Sequence, residues 1–224
     1  MNLTANIIGA TGLVGKQLVR QLLENDSFGK VRIFVRRDSG IGHNKLEQQI
    51  IDFRKPDTWQ DKLTGDVLFS ALGTTLRQAG SKEKQYEVDF TFNLDFAKTA
   101  SNNGIKNYVL VSSIGANPKS LFFYTRMKGK LDEAVSDLGF TNLTILRPSS
   151  LIGYRDNKRI AESISIPIVK FLTKFFMKKF RPVKDTIVAQ AMINAVLFPD
   201  KGKTIREGRE IFRLSSTNSE QKTD

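Results

Sequence analysis

The sequence contains no cysteine and a single histidine, and these absences exclude several kinds of chemistry. Disulfide bonds, thiolate catalysis and cysteine metal sites are excluded, and His43 alone cannot hold a zinc ion. The lack of cysteine suits a reducing compartment. The amino terminus shows no basic segment followed by an apolar signal-type stretch. We therefore expect a cytoplasmic, intracellular protein.

Long apolar runs are also missing, because no uncharged stretch reaches the ~18 residues that a membrane-spanning helix needs. The 224 residues carry a formal net charge of +12, with 40% hydrophobic and 26% charged residues, which is typical of a globular protein. This charge could attract nucleic acid or an anionic membrane. It is scattered, however, and no nucleic-acid-binding motif accompanies it. We therefore expect no nucleic-acid partner.

The most informative segment is a glycine-rich turn over residues 9–15, with the sequence GATGLVG. It follows an apolar run and precedes a helical stripe in which apolar residues recur four apart. Gly9 permits a tight turn, Gly12 lets the backbone approach a pyrophosphate, and Gly15 lets the helix pack closely on its strand. Because N–H groups at a helix start attract phosphate, the turn predicts a dinucleotide-binding site.

A pair of arginines at the end of the second predicted strand indicates which form of the dinucleotide the site would bind. Arg36 and Arg37 lie about 20 residues past the last glycine, where a protein that prefers NAD carries an acidic residue. A guanidinium group can bind a 2′-phosphate through two charge-assisted hydrogen bonds. The pair therefore predicts NADP(H) as the cofactor, with a solvated basic surface as the alternative.

Strand-like apolar runs alternate with helical stretches along the chain, which predicts an α/β fold with a Rossmann-like, doubly wound parallel sheet. We expect a single domain over residues 1–214 and a polar, flexible tail over residues 215–224. The runs are Ala5–Ile8, Val31–Val35, Gln49–Asp52, Val67–Leu72, Tyr108–Ser112 and Leu143–Leu146. Between them, Val88, Phe92, Phe96 and Ala100 recur four apart and are predicted to form a buried helix face.

A serine, a tyrosine and a lysine that follow the fifth predicted strand are residue types that carry out acid–base chemistry. Tyr124 and Lys128 are four apart in a helical stretch and share a helix face. A nearby ammonium favours the phenolate and lowers the tyrosine pKa from ~10, so the phenol becomes a better proton donor and acceptor at neutral pH. Ser113 could hold a substrate carbonyl opposite it. Ser112 is the alternative, because neighbouring residues of a strand face opposite sides.

In these motifs the sequence resembles the short-chain dehydrogenase/reductase superfamily over residues 3–214, and its atypical branch containing the Tat-interacting, tumour-suppressor-type oxidoreductase-like proteins. The resemblance implies a catalytic set of Ser113, Tyr124 and Lys128, with no metal. It also implies that cofactor contacts come from the glycine turn, the arginine pair, the third and fourth strands, the catalytic helix and the stretch after the sixth strand. These contacts are Gly9, Thr11, Gly12, Leu13, Val14, Gly15, Arg36, Arg37, Asp52, Phe53, Leu72, Gly73, Thr74, Tyr124, Lys128 and Pro148.

A basic segment over residues 155–184 has three interpretations: a lid over the substrate, an interfacial membrane helix, and an amphipathic helix packed on the core. We favour a lid that also packs on the core and forms an apolar pocket with a cationic rim. Such a pocket would suit an apolar or anionic small-molecule substrate. Peripheral membrane contact through residues 164–181 is the alternative.

Two functions remain compatible with the sequence. The first is an NADP(H)-dependent oxidoreductase that transfers hydride to or from a carbonyl or hydroxyl substrate. The second is an NADPH-sensing or scaffolding protein that binds the nucleotide with little turnover. The serine, tyrosine and lysine favour the first.

Overall fold

The computed structural model describes residues 2–149, 151–152 and 182–217. Its centre is a sheet of seven parallel strands in the order β3-β2-β1-β4-β5-β6-β9, and a separate two-stranded parallel sheet joins β7 to β8. The strands are β1 (Leu3–Ile8), β2 (Phe28–Val35), β3 (Leu46–Ile50), β4 (Val67–Ser70), β5 (Asn107–Val111), β6 (Asn142–Arg147), β7 (Leu151–Ile152), β8 (Val183–Lys184) and β9 (Gly202–Glu207).

Helices cover the two faces of the sheet, as the alternating pattern predicts. They are α1 (Leu13–Leu23), α2 (Leu76–Ala79), α3 (Lys82–Tyr86), α4 (Phe92–Asn102), α5 (Phe123–Ser136), α6 (Asp185–Leu197) and α7 (Arg209–Ser215). A π-helical turn, Glu87–Thr91, joins α3 to α4, and short 3₁₀ turns span Pro56–Thr58 and Gln60–Lys62. The prediction of a Rossmann-like parallel sheet is confirmed.

The apolar core lies in two layers, one on each face of the sheet. The first packs α1 and α6 on the central strands. The second packs α4 and α5 on the other face and is rich in aromatic rings. Phe96 is fully buried there, with the ring of Trp59 stacked on it at 3.9 Å and the ring of Phe34 meeting it edge-on at 5.2 Å. This packing fixes α4 against the strand ends.

Two strands of the seven-stranded sheet differ from the sequence prediction, and both lie at its edges; the short β7 and β8 of the second sheet were not predicted either. β3 spans Leu46–Ile50 rather than Gln49–Asp52, and β9 was not predicted at all. An edge strand is half exposed and carries polar residues, as in the sequence GKTIRE of β9, so it lacks the continuous apolar run that identifies a buried strand. The apolar criterion therefore located the inner strands and failed at the edges.

The predicted buried face through Val88, Phe92, Phe96 and Ala100 is only half right. Phe96 and Ala100 are fully buried, whereas Val88 and Phe92 are half-buried and line a cleft. The π-helical turn precedes Phe92 and changes the rotation per residue, so a four-residue spacing across it does not keep one face.

Some predictions fall on other parts of the chain. The segment over residues 155–184 lies outside the described residues except for its last three positions, and so does the whole of residues 164–181. In the predicted tail, Ser215 ends α7, and the Asn194 side chain donates a hydrogen bond to the Thr217 carbonyl at 3.0 Å. Residues 218–224 lie outside the described residues.

Candidate functional site

A cleft of about 660 Å³ opens at the carboxyl ends of the central strands. The chain order reverses between β1 and β4, which are neighbours in the sheet, and ligands of open α/β sheets bind at such a point. The cleft is lined by the glycine turn and by the segments that follow β2, β3 and β4. Its remaining wall comes from the helical stretch that leads into α4.

The glycine turn brings main chain close to the cleft in a way that only glycine allows. Gly9 has a positive φ of 80°, and a Cβ placed there would lie 2.4 Å from the Ala71 carbonyl carbon. A Cβ at Gly15 would lie 2.0 Å from the Gly9 carbonyl oxygen, so α1 packs directly on the turn. Gly12 is the N-cap of α1, and no side chain caps it. The helix start therefore offers N–H groups to an anion, as a dinucleotide diphosphate requires.

The structure brings many of the predicted cofactor residues to this one cleft. Those that line it are Gly9, Thr11, Gly12, Leu13, Arg36, Asp52, Phe53, Leu72, Gly73 and Thr74. Val14 and Gly15 are instead buried on the inner face of α1, and Arg37 is exposed outside the cleft lining. Contact with a cofactor stays a prediction for these three residues and for those that line the cleft.

Sequence reasoning missed several residues of the cleft. Four basic side chains line it (Lys16, Arg36, Arg54 and Lys84), and only Arg36 had been singled out. The Arg54 guanidinium donates two hydrogen bonds of 2.7 Å to the Glu87 carboxylate, which also lines the cleft. This pair joins the loop after β3 to the π-helical turn. Because its partners are 33 positions apart, no local pattern could have indicated it.

Side chains from residues 85–93 form hydrogen bonds with the backbone of the loop after β4. The Asp89 carboxylate accepts the Thr74 N–H at 2.8 Å, and the Gln85 amide donates to the Thr74 carbonyl at 3.2 Å. Asn93 donates to the Leu72 carbonyl at 3.3 Å and accepts a hydrogen bond from the buried Ser70 hydroxyl. The cleft-lining residues 72–74 are therefore fixed by side chains around the π-helical turn.

The predicted tyrosine and lysine lie one turn apart on α5. Tyr124 is in the first turn and is 39% exposed, whereas the Lys128 side chain is only 3% exposed. The Lys128 ammonium lies 3.2 Å from the Asp89 carboxylate, whose side chain is 2% exposed. A Cβ placed on Gly73 would lie 3.9 Å from the Lys128 Nζ, so the ammonium sits directly behind the wall of the cleft.

Burial and the neighbouring charge both change the pKa values of Asp89 and Lys128. Burial raises the pKa of the Asp89 carboxyl, and the Lys128 ammonium acts in the opposite direction. Burial also lowers the pKa of Lys128, but Asp89, Tyr124 and Asp132 outweigh it, and the net pKa lies above the ordinary value. Lys128 is therefore a cation at neutral pH.

The two candidate serines follow β5 and differ in their surroundings. Ser112 is buried, and its hydroxyl makes no hydrogen bond of normal geometry. Ser113 is half-buried, and its hydroxyl donates to the neighbouring Ile114 carbonyl at 3.3 Å. The Ile114 N–H donates to the Pro148 carbonyl at 3.0 Å, so the stretch after β6 meets the serine loop.

The same loop also reaches the first turn of α5. A Cβ at Gly115 would lie 3.8 Å from the Thr125 methyl group, and the Asn117 N–H donates to the Thr125 carbonyl at 3.0 Å. The fold thus gathers Ser113, Pro148 and Tyr124 into one region. The catalytic role of Ser113 rather than Ser112, and the cofactor contact of Pro148, stay predictions.

Two other kinds of feature are absent from the part of the chain that the structure describes. No group of three or more metal-ligating side chains occurs there. Within the same residues, no helix combines the length and the apolar character needed to cross a membrane.

Comparisons with known proteins agree with the geometry of the cleft. Residues 9–167 match a family model described as NAD(P)H-binding. A curated relative, the protein "fmp52, mitochondrial" of Emericella nidulans, is 35% identical over 93% of each chain. "FMP52, mitochondrial" of Eremothecium gossypii is 33% identical over 98% of this chain and all of the relative. A short-chain dehydrogenase/reductase superfamily protein from Agrobacterium tumefaciens, solved with bound NAD, shares the fold at a TM-score of 0.66 and 17% identity, over 92% of this chain and 77% of that one.

The expectation of a cytoplasmic protein is contradicted by these relatives, which are named as mitochondrial. That expectation depended on the absence of cysteine and of a secretion signal. Neither feature distinguishes the cytoplasm from a mitochondrial compartment.

The glycine turn, the cleft at the strand reversal, the matched family model and the relatives lead to one assignment. The chain belongs to the NAD(P)H-binding family and to the group of proteins named FMP52, and its fold is the one found in a short-chain dehydrogenase/reductase superfamily protein.

Proposed function

We propose that this protein is an NADP(H)-dependent oxidoreductase that acts on a carbonyl or hydroxyl group of a small molecule. The observation that carries the proposal is the position of Lys128. Its ammonium lies behind Gly73 in the wall of the cleft and one helical turn from Tyr124. A cation at this point can serve both a bound dinucleotide and the tyrosine phenol.

The residues of the chain divide the chemical work as follows. The bound cofactor supplies or accepts a hydride at its nicotinamide ring. Tyr124 donates its phenolic proton to the substrate oxygen during reduction, regains a proton from water, and accepts one during oxidation. Lys128 places a positive charge one helical turn from the phenol and orients the cofactor ribose. Ser113 holds the substrate oxygen.

The phosphorylated form of the cofactor is favoured by the charge of the cleft. Its lining contains four basic side chains, and its two acidic side chains are Asp52 and Glu87. Glu87 is already bound by Arg54. Arg36, at the end of β2, is exposed in the lining of the cleft, which supports its assignment to the 2′-phosphate.

The proposal is tested by measuring NADPH oxidation with a panel of aliphatic and aromatic aldehydes, ketones and quinones. Tyr124→Phe removes only the phenolic oxygen, so we expect turnover to fall by about 10²-fold or more, the usual worth of a positioned acid, while NADPH affinity changes little. Tyr86→Phe is the matched control, since Tyr86 stacks on Phe90 outside the predicted catalytic set, and it should keep native turnover.

The alternative function makes a different prediction in the same assay. A sensing protein would bind NADPH but show equal, negligible oxidation for the native chain and for Tyr124→Phe. That result would contradict the oxidoreductase proposal and leave nucleotide binding intact.

A further inference from the structure

A buried carboxylate links the cleft loop to the proposed catalytic helix. One oxygen of Asp89 lies 3.2 Å from the Lys128 ammonium, and the other accepts the Thr74 N–H at 2.8 Å. A Cβ on Gly73 would lie 3.1 Å from the first oxygen. Asp89 therefore contacts the loop and the lysine at once, and a side chain at position 73 would crowd its carboxylate.

The π-helical turn is what places this carboxylate. Asn93 donates hydrogen bonds to the Val88 and Asp89 carbonyls, at 3.0 and 3.3 Å, so the backbone groups of the turn are satisfied inside the fold. Single π-helical turns are costly and frequently mark functional sites. Here the turn points the buried Asp89 carboxylate at the buried Lys128 ammonium. Hydrophobic packing alone would require neither of these charged groups.

The remaining charged groups around Lys128 are engaged elsewhere, in the part of the chain that the structure describes. On the π-helical turn, Glu87 is bound by Arg54. On α5 itself, Asp132 is bound by Arg147 of β6, 2.9 Å away, and Arg147 also binds Glu207 of β9. On α4, the Lys98 charge acts on Asp95. Asp89 is thus the carboxylate paired with the Lys128 ammonium.

We infer that Asp89 is a positioning residue, which holds the Lys128 ammonium beside Tyr124 and keeps its positive charge up to alkaline pH. This inference rests on the proposed oxidoreductase function. Its physical basis is that a negative charge next to a cluster of titratable groups makes every one of them hold its proton more tightly.

The test is Asp89→Asn, assayed for NADPH-dependent reduction between pH 6 and about pH 10 with the carbonyl compound that the native protein reduces fastest. Asparagine keeps an oxygen for the Thr74 N–H but removes the charge. The Lys128 ammonium then loses its proton more easily, because the carboxylate charge 3.2 Å away is gone. We expect the alkaline limb of the kcat profile to move to lower pH by about one unit or more.

Asp95→Asn is the matched control. It removes the same charge from a half-buried aspartate on the neighbouring helix, without contact to Lys128, and should leave the alkaline limb in place. A merely structural role for Asp89 would lower the folded fraction or kcat at every pH without moving the limb. An unmoved limb in a folded Asp89→Asn protein would overturn the inference.

Asp89→Glu keeps the inference testable if Asp89→Asn does not fold. Glutamate restores the charge but displaces the carboxylate, so we expect the native alkaline limb with kcat lowered about tenfold; native kcat, or a limb moved to lower pH, would overturn the inference. A native protein that reduces no compound of the panel contradicts the proposed function itself. Turnover with an unmoved limb contradicts only the role of Asp89.

Discussion

Arg36 and Arg37 are adjacent in sequence, yet only Arg36 belongs to the lining of the cleft. Both side chains are exposed at the end of β2. Consecutive residues at a strand end point to different sides, so one of the two faces the ligand position. The sequence indicated the pair, and the fold distinguishes its members.

The cofactor preference can be measured residue by residue. We expect Arg36→Ala to weaken NADPH binding by about 1 to 3 kcal/mol, the usual worth of a hydrogen bond to a charged group, and to leave NADH binding nearly unchanged. Arg37→Ala should cost less. Calorimetric titration with the two reduced nucleotides provides the comparison.

Arg213→Ala supplies the control, because Arg213 is equally exposed but lies on α7 and outside the cleft lining. It should change neither affinity. Equal weakening of NADPH and NADH binding by Arg36→Ala would show that Arg36 does not recognise the 2′-phosphate.

At the scale of elements, α1 and the turn before it form a tightly packed unit. Gly15 is in the first turn of α1, and a Cβ there would overlap the Gly9 carbonyl oxygen at 2.0 Å. The obstacle is backbone, which cannot rotate away as a side chain can. α1 would have to move off the turn, and the N–H groups at its start would move with it.

We therefore expect Gly15→Ala to lower the free energy of unfolding by about 3 kcal/mol or more, at or beyond the usual limit for overpacking, and to abolish binding of either nucleotide. Urea denaturation and calorimetry measure the two effects. Gly42→Ala is the control, since nothing lies within 4 Å of a Cβ there, and it should be neutral. A stable Gly15→Ala protein with native nucleotide affinity would contradict this account of the turn.

The edge strands show where element prediction failed and why. β3 and β9 close the two ends of the sheet and are only partly buried, so their sequences mix polar and apolar residues. The inner strands are buried on both faces and were located to within a few residues. What a local pattern reports is burial, and burial differs between the centre and the edges of a sheet.

At the scale of the whole molecule, Arg147 joins three elements that are distant in sequence. It binds Asp132 of α5 at 2.9 Å and Glu207 of β9 at 3.1 Å, and so connects α5 to the last strand. Burial raises the pKa of Asp132, while the Ser112 hydroxyl and the Arg147 guanidinium lower it. When the Asp132 carboxyl is ionised, the Arg147 guanidinium therefore compensates its buried negative charge.

Arg147→Met should leave Asp132 buried without its cation and lower the free energy of unfolding by about 3 kcal/mol at neutral pH. The pKa of Asp132 in the folded protein is already raised, and it would rise further without the Arg147 guanidinium. The stability penalty then appears as the pH increases from the unfolded value of about 4 through that raised pKa, and it shrinks again in acid. Denaturation at several pH values measures this dependence.

Arg206→Met tests whether any lost ion pair would do the same. Arg206 lies on β9, next to Glu207, but its own partner Asp200 is half exposed, and we expect a loss of less than about 1 kcal/mol. A loss from Arg147→Met that is equally large in acid would indicate that packing, rather than the charge of Asp132, is responsible.

The sequence by itself determined the parallel α/β architecture, the dinucleotide turn and the spacing of Tyr124 and Lys128, because each depends on a strand period, a helix period or the requirement for glycine at one turn. Only the tertiary structure decided that Asp89 meets Lys128, that Arg54 meets Glu87 and that Arg36 rather than Arg37 lines the cleft. These contacts join residues that are far apart along the chain or turn on a side chain's direction. They arise because the sheet and the π-helical turn bring distant segments of the chain together, which no local pattern reports.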